Sequence, residues 1–60
     1  GLVVGLRVDD VSSALKALAA GGADTYALVE TQAMTGDREH AAFATTPGGL
    51  DLELRGPLDA

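Results

Sequence analysis

The sequence predicts a small α+β fold, a single βαβββ module over residues 1–60 with one helix on a four-stranded sheet. Three observations carry this. The first and last segments alternate apolar residues with period two, one early segment repeats at helical spacing, and Gly- or Pro-rich breaks separate the segments.

Leu2, Val4, Leu6 and Val8 share one face of the opening strand and Val3, Gly5 and Arg7 the other, since successive side chains of a strand point to opposite sides. Asp9 and Asp10 break the run. Either Asp10 or Ser12 can cap a following helix by accepting a hydrogen bond from an orphan N–H of its first turn. Val11, Ala14, Leu15 and Leu18 then fall at i, i+3, i+4 and i+7, one stripe of a short amphipathic helix that Gly21 and Gly22 end. Tyr26, Leu28, Val29 and Thr31 suggest a second strand over residues 25–34, with imperfect alternation. After a turn at Thr35, Gly36 and Asp37, a third segment over residues 38–46 centres on Phe43. Pro47, Gly48 and Gly49 make a hairpin turn; they do not open a helix, so no phosphate-cradling loop is indicated. The last strand sets Leu50, Leu52 and Leu54 against Asp51, Glu53 and Arg55, and Gly56 and Pro57 are expected to stop it.

One helix covers one face of such a sheet. The leucines of the last strand and the even positions of the first are expected to pack against Val11, Ala14, Leu15 and Leu18. The other face, with Val3, Gly5, Arg7, Asp51, Glu53 and Arg55, is left open, and its mixture of small, apolar and charged groups suits a ligand cavity or a second subunit.

Composition narrows the partners. Four Lys+Arg against nine Asp+Glu give a net charge of −5, the wrong sign for nucleic acid or an anionic membrane surface. A hydrophobic share of 47% with 22% charged residues is that of a globular chain. No apolar stretch approaches the ~18 residues of a membrane span, and no signal peptide is apparent, so the cytoplasm is the expected compartment. A chain of 60 residues without Cys has neither disulfides nor a thiolate metal site to support a small core, and association remains as its staple. Opening on Gly1 and entering a strand at once, the sequence reads equally as a processed product or as a piece of something longer.

Several residues invite a chemical reading. Arg7 and Arg55 fall on the same predicted face as Glu53, where either can pair with it or hold an anionic ligand through a planar fork of donors. His40, the one imidazole, stands beside Glu39 at a strand start and reads as solvated surface. Asp9 and Asp10 are adjacent and point apart, which favours capping over paired-carboxylate chemistry, and Ser12 and Ser13 have no nearby base. Tyr26, Phe43 and Met34 are the large soft residues available for stacking on a ligand, with Phe43 also readable as core.

Taken in order, Leu6-Arg7-Val8-Asp9-Asp10-Val11, the Ala-rich helix closing on Gly21-Gly22-Ala23, Gly36-Asp37-Arg38, and Pro47-Gly48-Gly49 before Leu52-Glu53-Leu54 resemble one module of the vicinal oxygen chelate superfamily. That superfamily includes glyoxalases, extradiol dioxygenases and bleomycin-resistance-type binding proteins. The resemblance implies that two βαβββ modules pair around a shared cavity, in which metal-dependent members hold a divalent cation with side chains from both. The matching positions are Val3, often His in the family, and Glu53. Val3 has no donor atom, and a catalytic divalent ion generally needs about three protein ligands.

The leading expectation is therefore a module that binds a small molecule at a paired-module cavity without metal or other cofactor, with Arg7, Glu53, Arg55 and Phe43 as ligand-binding residues. Its partner would be a second copy, giving a homodimer, or a second module. One alternative is half of a metal-dependent lyase or dioxygenase site, in which Glu53 binds a divalent metal and the partner supplies histidines. Another is a structural dimerisation module with no ligand.

Overall fold

The computed structural model describes residues 2–58, so residues 1, 59 and 60 of the expected module lie outside the described residues. The elements are β1 (Val3–Arg7), α1 (Val11–Ala20), β2 (Asp24–Gln32), β3 (Arg38–Thr45) and β4 (Asp51–Pro57). They form one four-stranded sheet in the order β1-β4-β3-β2. Short turns make β2, β3 and β4 an antiparallel meander, whereas α1 carries the chain from one edge of the sheet to the other, so β1 meets β4 in parallel. This is the expected α+β arrangement of one helix on four strands. No helix among the described residues is long and apolar enough to cross a membrane.

Asp10 is the N-cap. Its carboxylate accepts from Ser13 N at 3.1 Å and from Ser13 Oγ at 3.0 Å, and these bonds hold the Asp10 carboxyl below its ordinary pKa of 3.8. At the other end Gly22 N–H donates to Ala19 O and Ala23 N–H to Leu18 O, each at 3.0 Å. Gly22 takes the left-handed φ of +97° that this helix-closing pattern requires. Between the caps, Val11 packs with Ala42 and Leu54 as the innermost cluster, and Val8, Ala14, Leu15 and Leu18 close around it. The predicted stripe is therefore the face that α1 turns to the sheet. Ala42 and Ala44, both fully buried on β3, hold nothing out from the sheet and let the helix settle close.

Three expectations need correction. First, the even positions of β1 do not pack beneath the helix: Val4 and Leu6 remain 39% and 43% exposed. A helix is about 10 Å across and strands lie ~4.8 Å apart, so one helix spans little more than two strands. Here α1 lies over β2, β3 and β4 and does not reach β1.

Second, β4 does not stop before Gly56 but runs through it to Pro57, which pairs with Glu39. Gly56 is buried for a different reason than turn chemistry: a Cβ there would overlap the Val8 carbonyl oxygen and crowd Val11. The chain leaving β1 crosses directly over this residue, tied down by Val8 N–H donating to Arg55 O at 2.8 Å.

Third, β2 covers Asp24–Gln32 rather than residues 25–34, and its imperfect alternation is a β-bulge. Tyr26 pairs with Phe43 and Val29 with Ala41, which leaves Ala27 and Leu28 together opposite Ala42. Ala27 takes φ +59° to make the extra residue fit.

Two outcomes follow from these contacts. Gly56→Ala is expected to destabilise the fold by about 1–3 kcal/mol, as overpacking does, read from the urea unfolding midpoint. Because the folded Asp10 pKa is depressed, the stability from its ionised cap is complete above the ordinary carboxyl pKa and is lost as pH falls through the folded value. Urea midpoints should therefore decline with acidification below about pH 4 less steeply in Asp10→Asn than in the native chain.

Candidate functional site

The sheet face turned away from α1 is built by strand alternation: on β4 the leucines point to the helix, which puts Asp51, Glu53 and Arg55 on the far side. Pairing across the sheet then sets the neighbours. Gly5, Glu53, Phe43 and Tyr26 form one row, and Arg7, Arg55, Ala41 and Val29 the next. Glu39 lies one step beyond Ala41 on the same face of β3.

Charge organises this surface. The Glu39 side chain is only 2% exposed, although it lies on the face without a helix, and its carboxylate is paired with the guanidinium of Arg7. Arg55 Nη1 stands 3.9 Å from the other Glu39 oxygen. Arg55 Nε also donates to Glu53 Oε2 at 3.2 Å. One buried carboxylate thus holds two arginines from two adjacent strands, and the second arginine holds Glu53. The hydrogen bond and the charge of Glu39 raise the Arg7 pKa above its already high ordinary value, so the cation is permanent. No buried side-chain nitrogen or oxygen among the described residues lacks a hydrogen-bond partner.

Beside this chain of ion pairs is a cavity of about 200 Å³ lined by Gly5, Leu6, Arg7, Glu53 and Arg55. Gly5 leaves it open, since a Cβ built there meets nothing within 4 Å. On the other side of Glu53, Phe43 and Tyr26 stack with ring centroids 5.9 Å apart and planes 18° from parallel. A second depression, of about 320 Å³, lies at the other edge of the sheet against Glu30, Thr31, Gln32 and Arg38, where Arg38 pairs with Glu30.

Of the residues singled out from the sequence, Arg7, Glu53 and Arg55 meet at one cavity. Phe43 adjoins Glu53 but does not line the cavity. It is half-buried on the face away from the helix, so it is not part of the core beneath α1. His40 is the strand neighbour of Glu39 and hence belongs to the opposite face, paired with Gly56 and Glu30. Val3 pairs with Asp51, whose carboxylate accepts from Thr45 Oγ1 at 2.9 Å. Glu39, the residue that organises the arginines, is not singled out by the sequence. Its only signal is a carboxylate inside a strand otherwise rich in alanine.

The cavity lining of this chain alone does not offer the three ligands that a catalytic divalent cation generally needs. Glu53 is the one carboxylate lining the cavity and is engaged by Arg55, while Arg7 adds a second positive charge alongside. No three His, Cys, Asp or Glu side chains come together in metal-binding geometry among the described residues. Comparison with family models, curated proteins and solved structures gave no match to this chain.

The burial asymmetry of the ion pairs generates a test. Arg7→Ala leaves the Glu39 carboxylate buried with only a distant guanidinium, whereas Glu39→Gln keeps an acceptor and leaves both arginines in contact with water. The first variant should lower the urea midpoint more than the second.

Proposed function

We propose that this chain is a small-molecule-binding βαβββ unit of the vicinal oxygen chelate kind, working without metal, whose cavity is completed by a second unit. The observation that carries the reading is the face opposite α1, where charged, aromatic and cavity-lining groups are gathered and no layer covers them. The molecule measures 34 × 24 × 15 Å, and its least dimension is that of one helix on one sheet. A cavity of about 200 Å³ on such a face is smaller than the ~300–1,000 Å³ of a typical complete ligand pocket, as half of a shared site would be. Two further features support the reading. The order β1-β4-β3-β2 is consistent with the βαβββ module on which the resemblance rests. Val3 and the Arg55-bound Glu53 favour binding over metal chemistry.

The arginines and Glu53 would orient polar groups of the ligand, and the Phe43–Tyr26 stack would offer an apolar wall to the remainder. A second copy would exclude water from these contacts and raise their strength.

Multi-angle light scattering tests the pairing directly. A mass of about twice 6.0 kDa is expected at micromolar concentration. A stable monomer at every concentration would overturn the shared cavity.

A further inference from the structure

Resting on this reading of the cavity, we infer that its ligand is a small α-amino carboxylate, with the carboxylate on the Arg7–Arg55 pair and the adjacent ammonium on Glu53. The cavity is lined by two cations and one anion, and the buried Glu39 behind the arginines brings the local sum to zero. A neutral total arranged as separated charges favours a ligand that is itself neutral and dipolar. A simple carboxylate satisfies the guanidinium side and leaves Glu53 facing an apolar group. A simple amine satisfies Glu53 and meets two guanidinium groups. Either mismatch counts against the wrong ligand as well as withholding a contact from it.

The hydrogen bonds already made leave the required groups available. A guanidinium has five N–H donors, and Glu39 takes one from Arg7 Nη2 while Glu53 takes that of Arg55 Nε. Glu53 accepts from Arg55 on Oε2, and its Oε1 has no hydrogen-bond partner among the described residues. Both arginines are held from behind by a carboxylate that is itself buried, so their orientation is set before a ligand arrives. The absence of a side chain at Gly5 gives the ligand's main-chain-like end room to approach the strand.

Three compounds that share an isobutyl fragment decide the matter: L-valine, isovalerate without the amine, and isobutylamine without the carboxylate. Titrated into the full chain and followed by amide shifts of Gly5, Leu6, Arg7, Glu53 and Arg55, L-valine should bind at least about tenfold more tightly than either of the others. Glu53→Gln should bring L-valine close to isovalerate while leaving shifts elsewhere unchanged. Equal binding of isovalerate or isobutylamine, no saturable shift with L-valine, or an unchanged ratio in Glu53→Gln each overturns the inference. If the variant fails to fold, the three-compound comparison on the native chain still decides. A dimer by light scattering with no preference for L-valine would sink the ligand assignment alone, whereas a monomer would sink the shared cavity.

Discussion

Width is the constraint from which most of this structure follows. One ten-residue helix has to cover a four-stranded sheet, and it is broad enough for little more than two strands. The chain centres that coverage on β3, with its neighbours β2 and β4 to either side, at the cost of β1, and the alanines of β3 and leucines of β4 allow a close fit. The remaining face is stabilised differently. Its side chains lean on one another: Arg7 and Arg55 close over Glu39, Phe43 over its neighbour Tyr26, and Ala41 is buried among them without any second layer. Electrostatic and aromatic contacts there take the place of a second sheet or helix.

That substitution explains why the candidate site lies where it does. Side chains that hold one another at a sheet surface keep polar groups in fixed positions, and fixed polar groups next to a gap are what a binding site requires. The gap comes from Gly5, the only position of its row without a side chain. The fold and the site are thus set by the same alternation along β4, which sends leucines one way and Glu53 and Arg55 the other.

The sequence displays this architecture unevenly. β1, α1 and β4 are legible because each follows a clean period: two for the strands, 3.6 for the helix. The gathering of Arg7, Glu53 and Arg55 on one face is also legible, since parity along each strand suffices to place it. The middle strands resist reading. β2 carries a bulge that puts Tyr26 and Val29, three residues apart, on one face, and β3 has alanine on both faces, so neither shows its parity in hydrophobicity alone. Glu39 is hidden for that reason: its burial depends on Arg7 being 32 residues away in sequence and near in space, which no local pattern states. Gly56 likewise looks like a strand terminator until the crossing of the Val8 carbonyl is seen.

The parallel pairing of β1 with β4 has a bearing on the order of assembly. Val3 faces Asp51 and Arg7 faces Arg55, so β1 has no partner in this sheet until β4 has emerged. The meander of β2, β3 and β4 can close through short turns, but β1 must wait for a loop of nearly the whole chain to come together, and distant pairings of this sort are slow. Throughout that interval Val3, Val4 and Leu6 belong to an apolar strand with both edges unpaired, the stage at which a nascent chain is most open to capture by another of its kind.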